Sequence, residues 1–452
     1  NKVNNPLLLP EIISIEDFIY ELSSISLLDT TTLLFEFYSV YLDNTSKDKH
    51  EDFDAFSKWA TIALQDYNEI DRHLVDTDYI FDYLKSIDRL ESWNIEKGSE
   101  SNLIKDYLSF FERLELYYHK LYQQLLSRNL GYQGIQYREA FENIQNYIEN
   151  NQHVKLVFIG FNALNRSEES IIKELLENQL ATIYWDADIS YFNDHPASVF
   201  LNKYKSHWTY YQNHTFNWIN DNFDKKKNIK VIGAPKNTSQ AKYVGTLLSQ
   251  ISSKEINFEN TALVLADESL LPSTLSSLPK EVNQVNITMG YELNNMTISS
   301  LIEALFKLHI DAKNSGDIFY YKSVIQLFAL PDFRKIIDGK DLTDEILKNN
   351  LIYLNSSRIG KLADKFQVKF HLISFLFENW HNNANLALIN SLRFIDLLKD
   401  KTVDILEKEF LFKNMTVLHQ LQQLNDKTGY IKNIKTLHQL YKQLIKTEKL
   451  SF

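Results

Sequence analysis

Glycine and proline, the residues that let a backbone turn sharply, number only 11 and 7 among 452 residues. Ordinary proteins use Gly at about 7%, so turn residues are too scarce here for the closely spaced hairpins of a sandwich or barrel. Long helices with few tight connections are predicted, and an all-β architecture is excluded. The length calls for two to four domains rather than one core. Apolar residues at 44% and charged residues at 24% match a globular chain. With 28 Phe and 25 Tyr, aromatic rings are expected to dominate the cores.

The absence of Cys removes disulfides, thiolate zinc and Cys-ligated iron–sulfur clusters from consideration, and fits a reducing cytoplasm. No run of about 18 apolar residues offers a membrane span. The chain opens Asn-Lys-Val without Met, which reads as a fragment of a longer protein. Its net charge of −11 argues against general nucleic-acid affinity, but that charge is unevenly spread. Residues 51–92 hold eleven acids against four Lys or Arg, a net of −7, whereas residues 427–452 hold six Lys against one Glu, a net of +5.

Leu7–Ile15 reads as a short strand leading into a helix from Glu16, with Ser14 as its N-cap. Helical periodicity then continues to about Asn150. Phe53, Phe56, Trp59, Ala60, Ala63, Leu64 and Tyr67 recur at three- and four-residue steps and form one apolar stripe. Lys97–Asn102 reads as a loop, and the two glycines within Arg128–Gly134 break the next helix. Strands are predicted at Lys155–Ile159, Ala181–Trp185, Ile229–Ile232, Thr261–Ala266 and Val285–Thr288. Helices are predicted between them, notably Ser167–Asn178 and Thr238–Ser252. That alternation argues a parallel α/β sheet. From Ser299 onward the pattern is again mainly helical.

The stretch Lys155–Tyr191 runs strand, polar loop, amphipathic helix, second strand and acidic tip, the layout of a nucleotide-motor core. The reactive groups of such a motor are missing. No G-x-x-x-x-G-K-[ST] phosphate loop occurs, and Gly160-Phe161-Asn162 stands where an Asp-Glu pair would be. Asp186 and Asp188, at the tip of the second strand, are two carboxylates that could hold Mg²⁺, or a solvated strand end. Thr261–Glu268 imitates a Walker B strand ending in Asp267-Glu268, a pair equally suited to the first turn of a helix. Pro331-Asp332 with Asp338-Gly339-Lys340 matches the PD…(D/E)xK nuclease pattern superficially. Phe333–Ile337 reads as a helical turn rather than a strand, which makes that match a coincidence. Among 12 His there is no H-E-x-x-H. His371 and His381 read as packing or surface residues on an aromatic-rich helix, and N-x-[ST] matches such as Asn237–Ser239 as chance in an Asn-rich chain.

Near the C-terminus, Lys432, Lys435, Lys442, Lys446 and Lys449 share one arc of a helical wheel, beside Leu437, Leu440, Tyr441 and Leu444. The lysines suit either solvent or a row of phosphates.

Together these segments resemble the helicase-like half of AddB-type subunits of bacterial helicase–nuclease complexes, relatives of the RecB and UvrD motors. Leu9–Phe18 looks like the region of a conserved motor motif, and Trp59–Trp93 is similar to the helical insertion of the first motor domain. Phe158–Glu168 resembles a degenerate Walker B segment, and Tyr184–Asp188 the strand after it. Ser239–Leu248 resembles the helix opening the second motor domain, with Leu263–Leu271 and Val285–Leu293 its following strands. The likeness covers roughly residues 7–310.

It implies a degenerate RecA-like α/β fold with large all-helical insertions. The start of the first α/β domain would lie at 1–28, its helical insertion at 29–150 and its remainder at 151–235. A partial second α/β domain would follow at 236–298, and its helical insertion at 299–452. Asn162, Glu168, Asp186, Asp188 and Gln240 would be remnants of motor motifs. The resemblance further implies no catalysis and no cofactor in this chain, Mg²⁺ and a PD-(D/E)xK exonuclease being expected only of the parent protein. The implied role is a cytoplasmic scaffold in DNA double-strand break repair that guides single- or double-stranded DNA, along the lysine face among other contacts, and docks an AddA/UvrD-type helicase subunit, with no membrane partner. Two other readings stand beside it. One is a divergent Mg²⁺-dependent NTPase using Asp186, Asp267 or Glu268; the other is a protein-interaction module docking through residues 51–92.

Overall fold

Helices built on long apolar stripes make up most of the computed structural model, which describes residues 10–85, 102–192, 195–217, 219–252, 258–282, 284–288, 290–313 and 317–450. The chain divides into two compact units, Asn1–Ile229 and Lys230–Phe452.

The first unit contains helices α1 (Ile15–Ser23), α2 (Thr30–Asn44), α3 (Phe53–Arg72), α4 (Thr77–Lys85), α5 (Asn102–Leu126), α6 (Gln133–Glu142), α7 (Ile144–Asn150), α8 (Arg166–Glu177) and α9 (Val199–His207). Ser14 starts α1 as the sequence predicts, in a reciprocal cap with Asp17. The α3 stripe also forms: Phe53, Phe56, Ala60, Ala63, Leu64 and Tyr67 are buried, with Trp59 half-buried against Phe56 and Tyr117. The break at Arg128–Gly134 separates α5 from α6, and Gly134 is required there by space. A Cβ at this position would lie 2.4 Å from the Asn68 carbonyl oxygen of α3. The expected loop at Lys97–Asn102 falls outside the described residues, except for Asn102, which begins α5.

One buried carboxylate ties three of these helices together. Asp71 of α3 is wholly buried, accepting from the Tyr118 hydroxyl of α5 at 2.5 Å, the Tyr132 hydroxyl at 2.6 Å and Arg138 Nε of α6 at 2.7 Å. Burial raises its pKa, and the two hydroxyls and the guanidinium oppose that rise.

Strands are short and few. β3 (Leu156–Ile159) and β4 (Ala181–Tyr184) pair in parallel through α8, giving a β–α–β unit where the sequence predicts one. Phe158 and Ile183 point into a core formed with Ile171, Ile172 and Leu175 of α8, Phe18 of α1 and Tyr137 of α6. Val157 and Ile159 on the opposite face are 57% and 58% exposed, so helices cover one face of this pair only. β5 (Ala187–Asp188) and β6 (Ile219–Asn220) form a second parallel pair, and β1 (Ser26–Leu27) pairs in parallel with β2 (Leu130–Gly131).

The second unit holds α10 (Asn237–Ser252), α11 (Leu271–Leu275), α12 (Thr297–Ile310), α13 (Tyr321–Ala329), α14 (Pro331–Arg334), α15 (Lys340–Lys348), α16 (Ser356–Lys365), α17 (Ala384–Lys399), α18 (Ile405–Thr428) and α19 (Ile434–Thr447). Its strands are antiparallel dipeptides: β7 (Tyr291–Glu292) with β10 (Lys449–Leu450), and β8 (Phe319–Tyr320) with β9 (Tyr353–Leu354).

The chain is thus mixed α/β with helices dominant, and every sheet among the described residues has two strands. Three strand expectations are corrected. Ile229–Ile232, Thr261–Ala266 and Val285–Thr288 form no strand, and Val231 and Val264 are 94% and 85% exposed. Parallel strands are stable when neighbours and covering helices bury both faces; none of these segments has a strand partner among the described residues. The part of Leu7–Ile15 that is described, from Pro10 on, is likewise not a strand.

Candidate nucleic-acid interface and strand-end pocket

Parallel strands leave a crevice beyond their carboxyl ends, the usual ligand position in open α/β sheets. β3 is followed by Gly160, whose φ of +77° turns the chain while its N–H donates to the Tyr184 carbonyl at 2.9 Å. No atom lies within 4 Å of a Cβ placed there, so the left-handed backbone, not packing, calls for glycine. β4 ends at Tyr184, and after Trp185 comes Asp186 at a φ of +50°, a left-handed kink that Asp tolerates better than most residues. The kink redirects the chain into β5. A cavity of about 380 Å³ results, lined among others by Asn162, Asp186, Asp188, Tyr191, Asn220 and Asn222.

The side chains of this crevice are committed to holding its own loops. One Asp188 oxygen accepts the backbone N–H groups of Asn222 and Phe223 at 2.7 and 2.9 Å, and the other that of Ser190 at 3.0 Å. The Asn222 N–H foremost holds its carboxyl down to a pKa of about 2. Asp186 accepts from the Asn220 amide at 3.1 Å. Asn162 is exposed on the crevice wall. Asp188 therefore acts as a turn clamp, and two free carboxylates for Mg²⁺ do not face each other here. Among the described residues no group of three or more His, Asp or Glu could hold a metal ion.

Glu168 has a structural task too. It closes a reciprocal cap at the start of α8: its Oε2 accepts from Asn165 N at 2.9 Å, and its own N–H donates to Asn165 Oδ1 at 2.8 Å. Tyr137 donates to its other oxygen at 3.1 Å. A phosphate would need the N–H groups at this helix start; that of Glu168 is taken by the Asn165 side chain, and Glu168 and Glu169 put negative charge at the same end. No Lys or Arg lines the crevice. Its lining is therefore unsuited to a polyphosphate.

The fold brings Asn162, Asp186 and Asp188 to one pocket, whereas Glu168 sits in the α8 cap and does not line it. Gln240 belongs to the second unit, exposed in the first turn of α10. Tyr191, Asn220 and Asn222 were not legible as pocket residues, because β5 and β6 are dipeptides joined across a long separation. The Asp188–Ser190 turn was the one readable signal.

In the second unit three of the five lysines, Lys435, Lys442 and Lys446, share one helix, and the other two lie beyond its ends. Leu437, Leu440, Tyr441 and Leu444 are buried, and the Tyr441 hydroxyl donates to Asn414 Oδ1 of α18 at 2.5 Å. Each buried Leu contributes roughly 1.5–3 kcal/mol, which fixes the opposite face outward. Lys435, Lys442 and Lys446 are exposed on α19; Lys432 precedes the helix and Lys449 lies in β10, both exposed. Lys442 lies 3.7 Å from Glu303, and Lys449 pairs with Glu268 at 3.2 Å. Lys432, Lys435 and Lys446 have no ion-pair partner among the described residues.

The remaining motif candidates are structural. Asp267 caps the turn after it through Ser269 N at 3.0 Å. Asp332 accepts from Thr297 at 2.6 Å and Lys335 at 2.8 Å, Asp338 accepts from Lys340 N, and the stretch is a short helix, Pro331–Arg334, followed by a turn, with no strand in it. His371 and His381 are exposed, but on a 3₁₀ turn and a left-handed bend rather than a continuous helix. No helix among the described residues is long and apolar enough to cross a membrane. No protein-family model and no curated protein matches this chain.

Proposed function

We propose that this chain is a non-catalytic scaffold that holds nucleic acid along the α19 face, as in the helicase-like part of an AddB-type exonuclease subunit in DNA double-strand break repair. One observation carries the reading: Lys435 and Lys446 stand exposed, without an ion-pair partner among the described residues, on one face of a well-anchored helix, with Lys432 exposed just before it, in a chain whose net charge is −11. Phosphates are neutralised by such rows, with release of counterions. The β3–α8–β4 unit and its carboxyl-end crevice support descent from a RecA-like motor, and the capped α8 terminus and engaged Asp188 support loss of its chemistry. In this reading a helicase subunit supplies movement and this chain guides the strand.

The test is fluorescence anisotropy with a labelled oligothymidylate in low salt. Lys435→Glu with Lys446→Glu is expected to weaken binding at least tenfold, and unchanged affinity would remove the lysine face from the account. Calorimetry with Mg²⁺–ATP is expected to be silent; heat of binding lost in Asp186→Asn would favour the divergent NTPase instead.

A further inference from the structure

One carboxylate of the second unit serves two basic side chains of α19. Glu303 lies on α12, and its Oε2 is 3.5 Å from His438 Nε2 and 3.7 Å from Lys442 Nζ. His438 and Lys442 stand one helical turn apart, so both face the same point on α12. Their settings differ. The His438 side chain is 18% exposed and its ring lies edge-on to Phe306, with centroids 6.1 Å apart, whereas Lys442 is 47% exposed. His438 Nε2 is buried and meets no hydrogen-bond partner among the described residues. A buried polar atom left unpaired is costly, and the carboxylate within its reach already holds a lysine. The charged groups acting on the ring are Glu303 and Lys307 of α12 and Lys442 of its own helix. Asn414 of α18 and Asn382, just before α17, are neutral and bond Tyr441 and Ile434 of α19 instead. Burial holds the imidazole below its ordinary value, Glu303 opposes that, and Lys442 and Lys307 oppose Glu303.

Between neutral and acid pH the sharing changes. With the ring neutral, Lys442 is the one cation at the Glu303 oxygen, and the pair keeps its ammonium from a phosphate. A protonated His438 brings a second positive charge to the same oxygen, from a more buried position. One carboxylate cannot neutralise both, and the long, solvated lysine is the one free to leave. We propose that His438 and Glu303 form a pH-dependent gate on the nucleic-acid face of α19, withholding Lys442 from phosphates at pH 7.5 and releasing it on acidification. This gate rests on the nucleic-acid reading of the lysine face, and adds a regulated contact to those of Lys435 and Lys446. The coupling is reciprocal: a strand that engages Lys442 takes it from Glu303, so binding draws a proton onto His438. A partly exposed ion pair is weak, and the gate therefore tunes affinity rather than abolishing it.

The assay is anisotropy of the full chain with a labelled oligothymidylate lacking a terminal phosphate, which carries no group that titrates between pH 7.5 and 5.5. Wild type is expected to bind about two- to fivefold more tightly at pH 5.5, the strength of one exposed ion pair. Its log–log salt slope should steepen by about 0.7 for the added phosphate contact. His438→Gln is expected to lack both gains, and Glu303→Gln to show them already at pH 7.5. Ring titration of His438 by NMR gives a readout free of nucleic acid: Lys442→Ala should raise its pKa, and Glu303→Gln should lower it. Circular dichroism checks folding, and Glu303→Gln decides the matter if His438→Gln does not fold. No binding by wild type at either pH fails the nucleic-acid reading, and the gate with it. Binding whose pH response is the same in wild type and His438→Gln, or a His438 ring that ignores Lys442→Ala, overturns the gate alone.

Discussion

Acidification should loosen the second unit in part through the imidazole of His309. His309 of α12 is 8% exposed, and its ring stacks on Trp380 with centroids 3.6 Å apart and planes 10° from parallel. Its Nε2 lies 2.9 Å from the Leu376 carbonyl, which can only accept, so Nε2 carries the proton and the neutral ring donates. Burial holds its pKa down, to about 4 from an ordinary 6.5, the Leu376 carbonyl offsetting part of that shift. Because the folded value is the lower one, the unfolded chain takes up the proton first. The stabilisation is therefore complete above pH 6.5 and is lost as pH falls toward 4. At about 1.4 kcal/mol per pKa unit the full effect is about 3 kcal/mol, of which about 2 kcal/mol is gone at pH 5. Since the chain has two units, the assay should be local: hydrogen exchange of the α12 amides in wild type and His309→Gln, at pH 7.5 and 5.0 with intrinsic rates corrected. Gln keeps a donor for Leu376 but cannot titrate. The difference between the two proteins should shrink by about 2 kcal/mol on acidification. An identical pH response in both would refute the argument.

Asp71→Asn should destabilise the first unit by about 3–5 kcal/mol, because Arg138 is left without its buried counter-charge; urea unfolding followed through the α3 and α6 amides measures it. Gly134→Ala should cost about 1–3 kcal/mol and lower Tm, as the new methyl group meets the Asn68 carbonyl at 2.4 Å. Asp188→Ala should speed hydrogen exchange at Asn222 and Phe223 while leaving α8 protected, since its carboxylate closes that turn and nothing in the α8 cap.

Local chemistry was legible where a pattern and its partner lie close in sequence. The Ser14 cap, the α3 stripe, the strand–helix–strand from Lys155 to Trp185 and the outward lysines of α19 all follow from spacing and side-chain type. The Glu168 cap is legible as well, because Asn165 three residues before it is a capping signature. What failed depends on distant partners. Val231, Val264 and Val285 have strand-forming neighbours in sequence, but strand formation needs a flanking strand and a covering layer, which a short apolar run cannot announce. The kink at Asp186 and the dipeptide pairing of β5 with β6 likewise arise from tertiary placement. The pocket was visible only in part for that reason.

The claim that α19 presents lysines to phosphates is tested most directly by the salt dependence of oligothymidylate binding. Plots of log affinity against log salt should have a slope that is less steep by about 2 in Lys432→Glu/Lys435→Glu/Lys446→Glu than in wild type, at about 0.7 per lost phosphate contact on a single strand. Equal slopes in the two proteins would contradict the account.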